Sequence, residues 1–454
     1  MSMGQPPETP SVAKRGPMKG PATRIRWQIL GLLFLISVVT YLDRINISVA
    51  GKQMSEELGL TDLEFGTIFS AFVLGYALFQ IPGGWLGDRF GYKKVLVSAL
   101  LLWSLFTALT PLAPASPLVS LLGVVGAICL VRFLIGLAES VSYPCSTALA
   151  GKWFPPQERG RAIGTIFAGL GVGAALTSPI VAWLVVSYSW QISFYVCSLV
   201  GILTGLVLVF HLTEWPQKHP RISDSELEYI RGGRPAENPT TSAATPRRTT
   251  PWRKILTNRD VSLLFASYVC IGYTVYIYFA WFYRYLTDER GFDAINASYF
   301  AVLPFLAMTV TAPLGGWLTD RLMLRVGKRT ARRIIVMGGK LPCLPLLFLG
   351  GRVENDYLAI ALLSLGFGLA FLGTNCYWTT AIELMPNHAG TIGAMMNMGT
   401  TVAGAFSPIL TPLIKDQYGW PAAWTVAGFF TLGAAILWIF IGVQEDRDSS
   451  ISST

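Results

Sequence analysis

Four charged side chains lie inside two apolar stretches, and their types and spacing point to chemistry. Asp43 and Arg44 are neighbours within residues 27–50, and Arg132 and Glu139 lie within residues 116–143. Arg132 and Glu139 are two helical turns apart, so a helix presents both on one face. Charges inside an apolar span are costly and usually face a partner or a water-filled cavity. We therefore treat these four residues as one candidate site.

The chemistry that these residue types favour is reversible binding of an anion. A guanidinium group presents a planar fork of donors that matches a carboxylate. While Asp43 or Glu139 is ionised it competes with an incoming anion for the arginines, and protonation ends that competition. Proton binding and anion binding would then be coupled. The alternative is a structural salt-bridge cluster between the two helices, since the four charges sum to zero.

The second half of the chain offers amide, hydroxyl and ring groups where the first half offers charges. Asn375 and Asn397 are candidate substrate contacts, because a buried amide needs hydrogen-bond partners such as sugar hydroxyls. Trp378 can stack on the face of a sugar or simply pack. The candidate proton carriers are Asp43 and Glu139, and the candidate substrate-binding residues are Arg44, Tyr41, Tyr76, Arg132, Asn375, Tyr377, Trp378 and Asn397.

A glycine-rich charged motif occurs once in each half of the chain. The sequence GGWLGDR spans 83–89 and GGWLTDR spans 315–321, each after an apolar stretch. A Ser-Pro pair is also repeated, at 178–179 and 407–408. Two halves related by duplication are one way to build a substrate path at their interface. We expect the motif residues to form a conformational latch and not to bind substrate; they are Gly84, Asp88, Arg89, Lys93, Asp320 and Arg321.

Apolar stretches long enough to cross a bilayer recur along the chain. Of its 454 residues, 52% are hydrophobic and only 13% are charged. A spanning helix needs ~20 mostly apolar residues. Such stretches lie near 27–50, 63–86, 94–113, 116–143, 160–184, 190–211, 260–286, 295–319, 332–350, 356–381, 390–414 and 421–443. We predict an all-α membrane protein with twelve transmembrane helices in two pseudo-symmetric six-helix lobes.

The placement of charges predicts the orientation in the membrane. Basic residues are concentrated in the amino-terminal tail and in the segments 89–94, 152–161 and 321–333, whereas the segment 52–64 is acidic. Basic loops stay in the cytoplasm, so both termini are expected there. The same bias accounts for the net charge of +9 without nucleic-acid binding. Arg284 ends the seventh stretch, a position typical of an interfacial anchor.

These patterns divide the chain into five segments. We predict a disordered cytoplasmic tail at 1–25, an amino-terminal lobe at 26–211, a cytoplasmic linker at 212–258, a carboxy-terminal lobe at 259–443 and a short tail at 444–454. The sequence from Ser223 to Glu226 is typical of a helix start within the linker. The six cysteines occur singly, and neither metal-ligand nor catalytic-triad spacing appears in the spans. We expect no metal, no cofactor and no enzyme activity.

Several of these segments resemble known proteins. Residues 84–94 resemble the loop signature between the second and third helices of the major facilitator superfamily. Within it, the sequence YLDRIN at 41–46, and Arg132 with Gly136 and Glu139, are similar to the anion:cation symporter family. That family includes bacterial galactonate, glucarate and hexuronate transporters. The resemblance extends from about residue 26 to 443 and implies the major facilitator fold.

The resemblance also implies roles for individual residues. It implies that Asp43 and Glu139 are proton-linked carboxylates, that Arg44 contacts a substrate carboxylate and that Arg132 is a partner of Glu139. Cavity positions of the sugar-acid members correspond to Tyr41, Tyr76, Trp378 and Asn397. One departure is the sequence Gly169-Leu170-Gly171, where those members often carry a glutamine. The absence of that glutamine suggests a substrate with a different hydroxyl pattern, or a less polar acid.

These expectations combine into one function. We expect a monomeric, proton-coupled symporter in a bacterial inner membrane that imports an organic anion by alternating access, with a hexonate, hexarate or hexuronate as substrate. The alternatives are an exchanger of organic anions or organophosphates, and a symporter of an aromatic or other small carboxylate. A membrane sensor is a further class, but the linker and tails are short for a signalling domain.

Overall fold

The computed structural model describes residues 23–231, 252–384 and 389–442, and its regular secondary structure there is helical. The predicted tails before residue 23 and after residue 442, and residues 232–251 of the linker, lie outside this description. Eleven helical segments are long and apolar enough to cross a membrane. Together with the 30-residue helix Ala389–Tyr418 they make the twelve predicted segments within the described chain.

The first half contains six long helices, α1 to α6. They are Ile25–Leu58, Asp62–Phe90, Tyr92–Leu109, Val119–Glu139, Pro156–Ser187 and Trp190–His211. Helix Ser142–Trp153 continues α4, and the turn Thr110–Ala115 ends α3. The linker contributes the turn Pro216–Lys218 and the helices Asp224–Arg231 and Trp252–Leu256.

The second half contains the long helices α7 to α12. They are Arg259–Arg284, Leu303–Val326, Lys328–Lys340, Asp356–Phe371, Ala389–Tyr418 and Trp420–Ile439. Four shorter segments extend them, namely Tyr285–Glu289 after α7, Ala294–Ala301 before α8, Cys343–Gly350 after α9 and Thr374–Leu384 after α10.

The same helix pairs form in each half. In the first half α1 packs along α5, α2 along α4 and α3 along α6. In the second half α7 packs along α11, α8 along α10, and the extension of α9 along α12. Each half is therefore a six-helix lobe, and the two lobes have the pseudo-symmetry that the repeated motif predicts. Between the lobes, α2 lies against α11 and α5 lies near α8.

Glycines allow the closest helix pairs to touch along their backbones. A Cβ on Gly136 of α4 would lie 1.9 Å from the carbonyl oxygen of Phe72 in α2. A Cβ on Gly75 of α2 would lie 2.2 Å from the carbonyl oxygen of Phe133 in α4. Small residues at such positions are typical of tightly packed membrane helices. This contact fixes α2 and its aromatic side chains against the charged face of α4.

The helix that begins at Asp224 docks onto the start of α1. Its residue Glu226 is fully buried and accepts hydrogen bonds from the backbone N–H groups of Ile25 and Arg26, at 2.9 and 3.2 Å. The carboxylate thereby caps the positive end of α1. We call this the linker end of the molecule, and we call the opposite end, where α1 terminates, the far end.

The lobes are held together at the far end. Asp62 at the start of α2 accepts a hydrogen bond from Nη1 of Arg284 at 2.8 Å, and it also pairs with Lys415. Nη2 of Arg284 donates to the carbonyl oxygen of Gly51 and to Oγ of Ser55, at 2.7 and 2.6 Å. The interpretation of Arg284 as an interfacial anchor is therefore wrong, because its side chain is buried between the lobes. Every ion pair between the lobes among the described residues lies at this end.

We expect Asp62→Asn to loosen the far end, since a neutral amide cannot hold two cations. The matched control is Asp288→Asn, because the ion pair of Asp288 with Lys52 also joins the lobes but leaves 42% and 37% of the two side chains exposed. Exposed pairs contribute little. Spin labels on Glu56→Cys and Glu289→Cys report the separation of the lobes. A broader distance distribution is expected for Asp62→Asn alone, and identical distributions in both variants would contradict the assignment.

Candidate functional site

An ion pair joins α1 to α4 in the interior of the first lobe. Nε of Arg44 donates to Oε1 of Glu139 at 2.5 Å. The Glu139 side chain is fully buried, whereas 15% of the Arg44 side chain is exposed. Glu139 is the last residue of α4, directly before the break that separates it from Ser142–Trp153. Glu139 thus pairs with Arg44, the accessible member of the pair, and not with Arg132, the partner that the resemblance implied.

The charged groups of this cluster retain unused hydrogen-bonding capacity. Within the described residues, Nη2 of Arg44 and Oε2 of Glu139 have no partner. The same holds for Nε and Nη2 of Arg132 and for both carboxylate oxygens of Asp43. Buried polar atoms in proteins are nearly always paired, so a group of unpaired ones needs an explanation. An anionic ligand would satisfy the unpaired donors of the arginines, and a proton would neutralise an unpaired carboxylate.

Aromatic rings surround the two guanidinium groups. Cζ of Arg44 lies 4.5 Å from the ring centroid of Tyr76 and 5.4 Å from that of Tyr41. Phe72 lies between the arginines, with its ring centroid 5.3 Å from Cζ of Arg44 and 4.9 Å from Cζ of Arg132. Cation–π contacts orient a guanidinium without occupying its N–H groups. The arginines are therefore held in place while their donors stay available.

Asp43 and Arg44 point in different directions. Asp43 is 2% exposed and lies beside Trp103 and Thr107 of α3, in the interior of the first lobe. Successive residues of a helix are about 100° apart. Arg44 therefore points away from that interior, toward α4 and the second lobe. The two carboxylates of the cluster consequently occupy distinct environments, with Glu139 bound to Arg44 and Asp43 remote from the lobe interface.

The second lobe presents aromatic residues to this cluster that the sequence analysis did not assign to the site. The ring centroid of Phe279 in α7 is 5.7 Å from that of Tyr41, and Oγ of Ser48 donates to the backbone carbonyl of Phe279 at 2.5 Å. Tyr276 and Phe305 pack on Phe279, with centroids 6.1 and 5.1 Å away. The density of aromatic residues in the seventh span was the available signal.

The predicted second-lobe residues occupy different environments. Asn375 is exposed and its Nδ2 donates to the carbonyl oxygen of Ala312 at 2.9 Å. Trp378 is 36% exposed, and Asn397 is half-buried on α11. Tyr377 is fully buried, with its hydroxyl 2.7 Å from Oγ of Ser267. Its ring faces the interior of the second lobe, away from the cluster around Arg44.

The predicted latch residues lie at the linker end, where the lobes are not joined by ion pairs of the described residues. Gly84 has open space around its Cα, and the exposed Asp88 accepts a hydrogen bond from the hydroxyl of Tyr92 at 2.5 Å. Lys93 donates to the carbonyl oxygen of Val209 at 2.9 Å. Among the predicted latch residues, the side chains of Asp88 and Arg89 in the first lobe and of Asp320 and Arg321 in the second lobe are exposed.

The cluster has the chemistry of an anion site linked to carboxylates. It combines two guanidinium groups and two carboxyl groups in a region shielded from water, with unpaired donors on both arginines. Among the described residues no group of histidine, cysteine, aspartate and glutamate side chains has the arrangement of a metal site. Its single accessible group is Arg44, which lies next to the interface between the lobes.

Comparison with known proteins identifies the family. A family model described as the Major Facilitator Superfamily matches residues 33–408. The chain is 34% identical to the probable sulfoacetate transporter of Cupriavidus necator, an alignment that covers 87% of this chain and 89% of that protein. It is 31% identical to the probable galactarate/D-glucarate transporter of Escherichia coli K12, with 87% and 88% covered. It is 30% identical to the D-galactonate transporter of Escherichia coli O6:H1, with 92% and 96% covered.

Solved structures share the architecture. A bacterial homologue of the human lysosomal transporter Spinster, in an inward-facing and occupied conformation, superposes with a TM-score of 0.72 at 16% identity, covering 93% of this chain and 97% of that one. A D-xylose–proton symporter superposes with a TM-score of 0.69 at 14% identity, covering 93% and 98%. At these identities the likeness concerns the fold alone. The family match and the relatives are those of transporters and not of enzymes, and this multi-pass membrane protein belongs to the major facilitator superfamily.

Proposed function

We propose that the protein is a monomeric, proton-coupled symporter that imports an organic anion by alternating access. Its lobes, residues 26–211 and 259–443, would rock about the cluster around Arg44, in a bacterial inner membrane and with both termini in the cytoplasm. The observation that carries the proposal is the Arg44–Glu139 pair, which has an unpaired donor on one partner and an unpaired acceptor on the other. The similarity to bacterial transporters supports the same assignment.

Coupling would follow from competition for one guanidinium group. While Glu139 is ionised, its carboxylate occupies Nε of Arg44. A proton on Glu139 removes its negative charge, and the guanidinium of Arg44 can then donate hydrogen bonds to a substrate carboxylate. Asp43, which lies within electrostatic reach of Arg132 and Glu139, is the second proposed proton carrier. Proton and anion would bind together on one side of the membrane and leave together on the other.

A sugar acid is the proposed substrate class, namely a hexonate, hexarate or hexuronate. The relatives named for galactarate, glucarate and galactonate support this choice. Tyr41, Tyr76 and Arg132 would contact the substrate from the first lobe. Asn375, Trp378 and Asn397 would contact its hydroxyl groups from the second lobe. Tyr377 would serve by fixing the extension of α10 through its bond to Ser267.

A smaller dianion is the second candidate. The relative named for sulfoacetate supports it. So does the close approach of α5 and α8, because a Cβ on Gly171 would lie 2.8 Å from Oγ1 of Thr309. A short carboxylate that also carries a sulfonate needs two cationic partners and few hydroxyl contacts. Arg44 and Arg132 would supply the two cations.

Alternating access would require the far end to open and the linker end to close. The far end is closed in this conformation by the contacts of Asp62 with Arg284 and Lys415. We propose that Gly84, Asp88, Arg89 and Lys93, and the repeated Asp320 and Arg321, act as latch residues when the linker end closes. The exposure of Asp88, Arg89, Asp320 and Arg321 at that end in the present conformation is consistent with an open latch.

The first test is uptake into proteoliposomes with and without an inward proton gradient. The labelled compounds would be galactonate, gluconate, glucarate, glucuronate, sulfoacetate, an aromatic acid and a sugar phosphate. Gradient-driven accumulation of one sugar acid supports the proposal, and accumulation of sulfoacetate alone supports the second candidate. Exchange of a sugar phosphate without net uptake would favour an antiporter and contradict proton coupling.

Glu139→Gln is expected to abolish coupling. The amide cannot ionise, so accumulation should fall to the equilibrium level even with a proton gradient, while exchange of labelled for unlabelled substrate continues. The control is Glu289→Gln, which alters an exposed carboxylate at the far end and should leave accumulation intact. Accumulation of substrate against its gradient by Glu139→Gln would rule out this role for Glu139.

Arg44→Lys is expected to weaken substrate binding about tenfold, since an ammonium group keeps the charge but loses the planar fork. The measurement is the half-saturating substrate concentration for exchange, which does not depend on the proton gradient. Arg253→Lys, which changes an exposed side chain in the linker helix Trp252–Leu256, serves as the control. An unchanged half-saturating concentration in Arg44→Lys would show that Arg44 does not bind the anion.

A further inference from the structure

A second basic site lies on the outer surface of the second lobe, at the linker end. It is an open pocket of about 260 Å³ between α8 and α9, which we call the α8–α9 pocket. The residues that line it are Trp317, Leu318, Arg321, Leu322, Arg325 and Ile335. It is remote from the cluster around Arg44, and of its lining residues only Arg321 also belongs to the proposed latch.

The pocket continues the membrane-facing side of α8. Exposed apolar residues recur along this helix at helical spacing, at Leu306, Val310, Leu314 and Trp317, with 67% of Val310 and 49% of Trp317 exposed. The opposite side of α8 faces the protein, where Thr319 lies 3.5 Å from Sγ of Cys376. An exposed apolar stripe on a spanning helix contacts acyl chains, and a tryptophan at its end is typical of the membrane interface.

Two free guanidinium groups end this apolar stripe. Arg321 and Arg325 are exposed, are one helical turn apart, and form no ion pair with any residue that the structure describes. The guanidinium of Arg321 lies over the ring of Trp317, with Cζ 4.1 Å from the centroid. Two cations beside a tryptophan and apolar walls are complementary to a phosphate that is attached to acyl chains.

Three basic residues of α9 differ from these two because they already have partners. Lys328 and Arg332 of α9 both pair with Glu383, at 2.8 and 2.7 Å. Nη2 of Arg333 donates to the carbonyl oxygen of Ile439 at 2.7 Å. Several basic residues of this surface are therefore engaged, whereas the exposed Arg329, which forms no ion pair with a described residue, does not line the pocket.

The equivalent place in the first lobe is also different. There the repeated motif again puts an arginine over a tryptophan, with Cζ of Arg89 5.2 Å from the ring centroid of Trp85. The residue one turn later is Lys93, whose amine is bound to the carbonyl oxygen of Val209. The first lobe thus keeps the arginine–tryptophan contact, but the cation one turn later is engaged.

We propose that the α8–α9 pocket binds an anionic phospholipid. Arg321 and Arg325 would contact the phosphate of its headgroup, and the acyl chains would lie along Leu314 and Val310. The lipid belongs to the leaflet at the linker end. A phospholipid such as phosphatidylglycerol supplies the net negative charge that the two arginines require, whereas zwitterionic phosphatidylcholine does not.

The test is native mass spectrometry of the detergent-purified full chain titrated with phosphatidylglycerol or phosphatidylcholine. In Arg321→Gln/Arg325→Gln the tightest phosphatidylglycerol site should weaken about 30-fold, or about fivefold in either single variant. Weak binding of phosphatidylcholine should not change. The matched control is Arg89→Gln, which removes the arginine of the first-lobe motif and should leave the tightest site intact.

Three outcomes would overturn the proposal. One is equal phosphatidylglycerol affinity in the wild type and the double variant. Another is an equal loss in Arg89→Gln, which would indicate a diffuse electrostatic effect. The third is displacement of the lipid by inorganic phosphate at the same concentration, which would indicate an ion site. If the double variant does not fold, as judged by its elution profile, the single variants carry the test.

Discussion

The structure depends on keeping two arginines and two carboxylates in a region largely shielded from water. Transfer of an ion from water into such a region costs on the order of several kcal/mol, and only close pairing offsets this cost. The pairing of Arg44 with Glu139 at 2.5 Å requires α1 and α4 to be fixed to within a fraction of an ångström. The backbone contact at Gly136 provides this rigidity by holding α2, with Phe72 and Tyr76, against α4. The close packing of α2 on α4 and the ion pair between Arg44 and Glu139 therefore depend on each other in this lobe.

The two lobes have the same helix arrangement but contribute different side chains to the site. The first lobe contains the charged cluster, and the second lobe meets it with the rings of Tyr276, Phe279 and Phe305. A neutral, aromatic surface opposite Arg44 leaves the charge balance of the site to the first lobe alone. In the proposed mechanism, the first lobe would change its protonation state without creating an unpaired ion in the second.

The fold and the charged cluster were predictable from the sequence because both rest on local signals. Apolar length defines the helices, and two charges two helical turns apart, such as Arg132 and Glu139, lie on one face of their helix. What could not be predicted depends on how distant helices meet. Arg284 at the end of a span has the sequence features of an anchor, and only the position of Asp62 in the other lobe shows that it is buried. The orientation of Tyr377 toward the interior of the second lobe could not be predicted for the same reason. The segment Thr374–Leu384 has aromatic or polar residues on several sides, so its sequence does not show which side is buried.

The docking of the linker has a mechanical consequence. Because Glu226 caps α1, the first part of the linker is an extension of the first lobe and moves with it. In the proposed cycle, the connection between the two lobes then begins after Arg231, and not where α6 ends at His211. A shorter tether raises the effective concentration of one lobe near the other. If the lobes move as proposed, the docked linker helix would limit how far they part.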